Sequence, residues 1–170
     1  CEVRFGPDAV RRTWRGDVTG AHARATVVMA ADAAGAAAAA LEAAVAHVQE
    51  REQFGAPLGA LQTVQHRAAD MAIDVRLATD AVLDAAGVID RGAPADEVDL
   101  VAAHAALGVE RSRRVTASAH QLAGGQGILA EAPYHRWHRR TLAAGVLLGG
   151  ARHHRGVVGR AALAGRTRFG

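Results

Sequence analysis

Cysteine and aromatic residues are scarce in this chain of 170 residues. A single cysteine excludes an internal disulfide framework, and aromatic residues make up only 4% of the sequence. Hydrophobic residues reach 50%, but alanine supplies much of that fraction, which favours closely packed helices over a sheet-based core. The length suits one domain. Composition therefore predicts an all-α domain.

Lysine is absent, and arginine supplies all 20 basic residues. Because guanidinium groups stay protonated, the sequence pI is about 10.3 although the formal net charge is only +3. Arginines cluster at 111–114, 136–140 and 152–168, but no recognised nucleic-acid-binding motif accompanies them. We expect no nucleic-acid partner, and an arginine-rich helical binding module is a distant alternative.

Long apolar runs without charge are also missing. Asp32, Glu42 and His47 interrupt the alanine-rich run at 27–48, so we expect no segment to cross a membrane. We expect a soluble, cytoplasmic protein. The chain begins at Cys1 without a methionine or a signal-like region, and we interpret it as the later part of a longer polypeptide.

Residues 1–24 differ in pattern from the rest of the chain. Gly-Pro and Gly-Asp steps divide them into short extended pieces around a turn, which is typical of the end of a preceding β domain. Residues 25–170 are the predicted helical domain. Its first helix spans about Thr26 to Phe54, where alanine dominates.

The most regular pattern lies at 61–89, where apolar residues recur in steps of three and four while acidic residues lie off that seam. The seam consists of Leu61, Val64, Ala68, Met71, Val75, Ala78, Val82, Ala85 and Ile89. A third helix is predicted at 97–123 with Asp96 as its cap, a short one after Pro133, and a last one at 151–163. The prediction is a four-helix up-down bundle with a short non-helical N-terminal segment.

Two segments have the composition of a binding edge. Arg51, Gln53 and Phe54 would lie on the final turn of a helix that stops at Gly55, although a plain helix end is also consistent with this pattern. The second segment, Gln121-Leu-Ala-Gly-Gly-Gln-Gly127, would end a helix with glycines that let the backbone approach a ligand closely.

These segments resemble the signatures of the acyl-CoA dehydrogenase family's C-terminal helical domain. The resemblance covers His47-Val-Gln-Glu-Arg-Glu-Gln-Phe-Gly-Ala-Pro57, Leu61-Gln62, Leu122-Ala-Gly-Gly-Gln-Gly127 and Glu131-Ala-Pro133, in the family's order. It implies that Arg51, Gln53, Phe54, Gln121, Gly124 and Gly125 reach the pyrophosphate and adenosine of a neighbouring subunit's FAD. A planar guanidinium can bind phosphate with two charged hydrogen bonds.

The family's catalytic carboxylate has no counterpart here. The resemblance places Leu148 at the position of the glutamate that removes the substrate's α-proton, and leucine cannot accept a proton. Ala25 and Thr26 occupy the alternative base position, where the substrate-orienting arginine is also missing. We therefore assign no catalytic residue.

Other chemistries have less support. His135 with His138, and His153 with His154, lack metal-site spacing and lie among arginines, so we expect no metal. Ser112 and Ser118 lack the context of an activated nucleophile.

Two hypotheses follow from the resemblance. The chain is the helical domain of an FAD-dependent dehydrogenase that converts an acyl-CoA thioester into its 2,3-enoyl form, or a non-catalytic subunit that completes a partner's flavin site. Either implies a homo-oligomer or a hetero-oligomer with a related dehydrogenase subunit.

Overall fold

Helices make up most of the described structure. The computed structural model describes residues 18–53 and 55–166. Its helices are α1 (Thr19–Glu50), α2 (Gln62–Asp90), α3 (Ala95–Ala123), α4 (Tyr134–Ala144) and α5 (Gly150–Leu163). Two short strands, β1 (Glu52–Gln53) and β2 (Ala56–Pro57), and short 3₁₀ turns connect them. The all-α prediction is confirmed.

The three long helices run up, down and up. Alanines from the second half of α1 pack with the second half of α3 and the first half of α2. A second cluster joins the first halves of α1 and α3 to the second half of α2. α1 and α3 are therefore parallel and finish at the same end of the bundle. α4 packs against α1 and α3, and α5 packs against α3.

The limits of α1 differ most from the prediction. The helix begins at Thr19 rather than at about Thr26, and it finishes at Glu50 rather than at Phe54. The other four predicted helices are present. Most of the predicted extended segment lies in residues 1–17, outside the described residues, while residues 19–24 form the first turns of α1. The assignment of residues 1–24 to a β domain stays a prediction.

Asp96 does not cap α3 as predicted. Pro94 is the N-cap residue, and no side chain caps this end. Asp96 lies in the first turn, where its negative charge still favours the positive end of the helix dipole. Its carboxylate instead accepts a hydrogen bond from Arg166 Nη1 at 3.4 Å.

The composition argument against a membrane span does not hold for α1. By length and composition alone, Gly20–Glu50 would suffice to cross a membrane. In the fold, however, one side of this helix packs along the bundle, with Ala33, Ala37 and Ala44 fully buried. A core helix made largely of alanine has the same length and hydropathy as a spanning segment, so this similarity is weak support for a membrane location.

An ion-pair cluster joins α2 to α3. Asp74 Oδ1 accepts hydrogen bonds from Arg111 Nη1 at 2.8 Å and from Arg114 Nη2 at 3.0 Å. Burial alone would raise the pKa of Asp74, but the hydrogen bonds and charges of Arg114 and Arg111 together outweigh it and hold the pKa below its usual value. Asp74 thus stays charged while its side chain is only 17% exposed.

Candidate functional site

Arg51 and Gln53 lie on a hairpin, not on a helical turn as predicted. Arg51 leaves the helix with an extended backbone (φ −77°, ψ 116°), and its carbonyl accepts a hydrogen bond from Leu58 N–H at 2.8 Å. β1 then pairs with β2 in antiparallel fashion, with Gln53 opposite Ala56. Gly55, in the connecting turn, has a φ of +81°, which favours glycine. Phe54 lies outside the described residues.

The hairpin presents its polar side chains to solvent. Arg51, Glu52 and Gln53 are all exposed. Within the described residues no acid pairs with Arg51, whereas Arg76, Arg140 and Arg155 each form an ion pair. The guanidinium of Arg51 and the carboxamide of Gln53 are thus available to a molecule outside this fold.

The second predicted segment forms a 3₁₀ turn, Gly124–Ile128, which we call the glycine turn. Gln121 precedes it and is exposed at the end of α3. Gly124 has a φ of +55°, and its N–H group is directed at the carbonyls of Gln121 and His120. Gly127 is buried, and a Cβ there would lie 3.0 Å from the His120 carbonyl oxygen. The fold itself therefore explains glycine at positions 124 and 127.

Gly125 has no such explanation within the described chain. It is exposed, its φ is not positive, and a Cβ there would meet no atom within 4 Å. A side chain would fill only open space beside the turn. Close approach of a ligand or of another subunit to the backbone would explain a glycine at this position.

Both predicted segments lie at one end of the bundle. α1 and α3 are parallel, so Arg51 and Gln53, just after α1, lie at the same end as Gln121, Gly124 and Gly125, at the end of α3. Each of these five residues is exposed. The structure therefore brings a guanidinium, two carboxamides and a glycine-rich backbone to a shared end of the domain.

The turn that contains Leu148 packs against α1, which carries Thr26, elsewhere in the fold. Leu148 lies in the 3₁₀ turn Leu147–Gly149, and a small cavity beside this turn is lined by Leu147, Gly150 and Thr26. Thr26 is buried, and its hydroxyl donates to the His22 carbonyl at 2.9 Å. The acid lining this cavity is Glu110, and its carboxylate pairs with Arg155. Residues distant in sequence thus meet where the resemblance predicts catalysis.

Sequence analysis considered His153 and His154 together, but it did not group them with His22. A neighbouring cavity of about 650 Å³ is lined by His22, His153 and His154, together with Thr26, Asp99, Arg160 and apolar residues. The ring centroids of His22 and His153 are 6.4 Å apart. Within the described residues, no group of three or more His, Cys, Asp and Glu side chains could hold a metal ion. Because α1 meets α5 only through tertiary packing, no local pattern marks this group.

Comparison with known proteins gives a consistent result. Residues 19–163 match the family model described as acyl-CoA dehydrogenase, C-terminal domain. The probable acyl-CoA dehydrogenase FadE25 of Mycobacterium tuberculosis is 36% identical over 142 residues, which cover 84% of this chain and 36% of that protein. The chain spans about a third of the length of the curated relatives it matches.

Solved structures show the same similarity. Butyryl-CoA dehydrogenase from Megasphaera elsdenii superposes with a TM-score of 0.81 and 31% identity, covering 86% of this chain and 38% of that one. The Tcur3481-Tcur3483 steroid ACAD G363A variant gives a TM-score of 0.80 and 29% identity, covering 94% of this chain and 42% of that one. The helical arrangement described above is therefore a known one.

Proposed function

Since this chain belongs to the acyl-CoA dehydrogenase family, we propose that it forms the helical part of an FAD-dependent dehydrogenase that oxidises an acyl-CoA thioester to its 2,3-enoyl form. Members of this family are FAD-dependent flavoproteins. The chain covers about a third of its relatives, so the activity belongs to a larger assembly to which this domain contributes.

The observation that carries the proposal is the chemistry at the shared end of the bundle. Exposed Arg51 makes no ion pair with a described residue, and Gly125 leaves room beside the backbone that nothing in the described chain fills. A phosphate group requires positive charge and N–H donors, and the nucleotide needs close access to the backbone. The residues present fit the pyrophosphate and adenosine part of FAD.

Each residue has a distinct role in this proposal. Arg51 would bind the pyrophosphate, Gln53 and Gln121 would add neutral hydrogen bonds, and residues 124 and 125 would let the nucleotide approach the backbone. Phe54 would stack on the adenine. When bound, FAD supplies the acceptor for the hydride that leaves the β-carbon of the acyl group.

The proposed site also requires a neighbour. The polar groups on the hairpin and the glycine turn face outward at the end of the domain, so an FAD held there would be shared with another subunit. We therefore propose an oligomer, formed with a second copy or with a related dehydrogenase subunit. Light scattering that gives only a monomer across micromolar concentrations of the intact protein would contradict this part of the proposal.

A second function is favoured by the expected base positions. Leu148, Ala25 and Thr26 offer no carboxylate, and Glu110, which lines the small cavity beside them, is engaged by Arg155. A subunit of this kind would complete the flavin site of a partner without itself removing the substrate's α-proton.

An absorbance spectrum separates the two functions. The intact protein is purified alone and together with related dehydrogenase subunits encoded beside it. Flavin absorbance near its usual maxima in the protein purified alone supports the dehydrogenase, whereas flavin found only in the joint complex supports the structural subunit. Absence of flavin from both preparations would contradict the proposed FAD site.

A further inference from the structure

A buried polar network joins the end of α3 to α4. Thr116 and Thr141 are almost fully buried, and their hydroxyl oxygens lie 3.0 Å apart. Thr116 Oγ1 also lies 3.0 Å from His138 Nδ1. Buried hydroxyls retain such contacts because each unpaired polar group costs free energy. The network therefore fixes the position of the His138 ring between the two helices.

The number of available protons indicates which ring nitrogen is protonated. The Thr141 hydroxyl lies 2.9 Å from the His138 carbonyl, and the Thr116 hydroxyl lies 3.1 Å from the Arg113 carbonyl, so each has a carbonyl to which it can donate. If Thr116 donates to the Arg113 carbonyl, its oxygen can accept from the Thr141 hydroxyl, and His138 Nδ1 must donate its proton to Thr116. A further proton would then be taken up at Nε2, and the ring would become charged.

Positive groups surround His138. The centroid of its ring lies 5.5 Å from that of His120, and burial together with the charges of His120 and Arg113 lowers the pKa of His138 below its usual value. Asp32 of α1 also contacts α4, where its carboxylate is paired with Arg140. α4 itself adds the buried Tyr134, whose pKa is raised by burial, so this phenol stays neutral. A positive charge on His138 would therefore be unfavourable.

The backbone of His120 also contacts the glycine turn. The His120 carbonyl accepts from Gly124 N–H, and Gly127 packs so closely on that carbonyl that a Cβ would lie 3.0 Å from its oxygen. The Tyr134 ring lies 5.9 Å from the His120 ring, and Tyr134 is the first residue of α4. The glycine turn itself contributes no titratable side chain. The last turn of α3 is thus held between α4 and the glycine turn.

We propose that His120 and His138 act as positioning residues for the glycine turn, and that proton uptake by His138 releases the turn and weakens its hold on a bound dinucleotide. The identity of the ligand rests on the proposed function; the opening of the turn does not. Repulsion between the two rings and Arg113 would separate α4 from α3, and His120 would lose its fixed position beneath residues 124–127.

The direction of the pH dependence follows from the lowered pKa. With the turn closed, His138 binds a proton less readily than a free histidine, whose pKa is about 6.5. The open form therefore binds more protons, and it gains population as the pH falls below about 6.5. Above that pH His138 is neutral in both the open and the closed form, and the closed turn is fully favoured.

Amide hydrogen exchange tests the opening without any ligand. Protection factors, which divide out the intrinsic pH dependence of exchange, are measured for Gly124 N–H between pH 7.5 and 5.0. We expect protection to fall about tenfold, because the open form gains population as the pH falls. Gly92 N–H, which donates to Ile89 at the opposite end of the bundle, should keep its protection. An equal loss at Gly92 would indicate general unfolding and overturn the proposal.

Substitutions identify the group that titrates. His138→Gln keeps a side-chain amide near Thr116 but cannot take up a proton, and it should abolish the pH dependence at Gly124. The matched control is His104→Gln, because His104 lies on α3, is half-buried and contacts the Leu100 carbonyl. An unchanged pH dependence in His138→Gln would overturn the proposal. If His138→Gln fails to fold, NMR titration of the unsubstituted protein provides the test. An ordinary pKa for His138 in that titration would also overturn the proposal.

Binding of FAD to the intact assembly forms the second arm. Affinity should be about tenfold weaker at pH 5.5 than at pH 7.5 in the unsubstituted assembly, and nearly equal at the two values in His138→Gln. If Gly124 N–H loses protection at low pH while FAD affinity stays constant, the proposed link between the turn and the dinucleotide would be overturned. If no FAD binds at any pH, the proposed function fails, and the exchange result still decides whether the histidine pair holds the turn.

Discussion

Gly108 on α3 lies directly against Ala78 on α2, and a Cβ at position 108 would be 3.3 Å from the Ala78 Cα atom. Both residues are buried, so the two helix backbones approach closely at this point. Short contacts of this kind depend on small side chains. The alanine and glycine content of the chain thus has a direct structural consequence.

Gly108→Ala is expected to lower the free energy of unfolding. Overpacking typically costs about 1 to 3 kcal/mol, which exceeds the gain of up to about 1 kcal/mol from replacing a helical glycine. The control is Gly35→Ala on α1, where a Cβ meets nothing within 4 Å and stability should rise by about 0.5 to 1 kcal/mol. Urea denaturation measures both variants, and a more stable Gly108→Ala protein would contradict the close contact.

Arg51→Ala is expected to weaken FAD binding without unfolding the bundle. A charge-assisted hydrogen bond to phosphate is worth roughly 1.5 to 3 kcal/mol, which corresponds to roughly a 10-fold to 150-fold loss of affinity. Arg76→Ala provides the control, since Arg76 is an exposed arginine on α2 that pairs with Asp80. Fluorescence titration of the assembled protein measures both. Equal affinities for the two variants would reject the role of Arg51.

Gly125→Ala should separate ligand binding from folding. The described chain leaves space for the methyl group, so the melting temperature should stay the same or rise slightly, while FAD affinity falls because the backbone is no longer accessible. Gly124→Ala should behave differently, since φ is +55° there and strain of about 1 to 3 kcal/mol would lower stability. Calorimetry and flavin titration of both variants test this contrast.

Leu148→Glu alone is not expected to create dehydrogenase activity. A positioned general base typically contributes about 10²- to 10⁴-fold, but misplacement by about 1 Å can cost about 10²-fold. Thr26 stands where the resemblance expects the substrate-orienting arginine, so a new carboxylate would lack a positioned substrate. Anaerobic titration with acyl-CoAs follows flavin absorbance. Stoichiometric bleaching by the unsubstituted protein alone would show that a base exists at another position.

Acid should weaken the contact between α2 and α3 at Asp74. The pKa of Asp74 is held below its usual value in the folded chain, so its contribution to stability is present above the unfolded pKa and is lost as the pH falls through the folded one. Because Arg111 and Arg114 are partly exposed, we expect a loss of only about 1 kcal/mol in Asp74→Asn at pH 7. The difference in the free energy of unfolding between the unsubstituted protein and Asp74→Asn, measured by denaturation, should shrink towards pH 3.

The sequence alone was sufficient for the helices that carry a strong local signal. Met71, Ala78 and Ala85 recur at helical spacing and are buried in α2, as predicted. Pro133 opens α4, and Gly124 follows the end of α3. These features depend on side-chain periodicity and on the backbone preferences of proline and glycine, which are properties of neighbouring residues.

Tertiary structure decided the shape of the candidate site. Gly55 and Pro57 were compatible with a simple helix end, but the chain leaves α1 at Arg51 because Leu58 N–H bonds to the Arg51 carbonyl and Gly59 packs against the Val48 carbonyl. The hydrogen bond and the packing contact bring residues after the turn back onto the helix end, so helix propensity alone could not reveal the hairpin.

The contacts of the histidines were likewise decided by the packing of distant elements. His120 and His138 meet because α4 folds back onto α3, and His22 and His153 meet because the last helix returns to the start of the first. Their spacing in the sequence resembles no known site. The sequence determined which residues can titrate or bind phosphate, whereas helix packing determined which of them lie together, because contacts between distant segments form only in the folded chain.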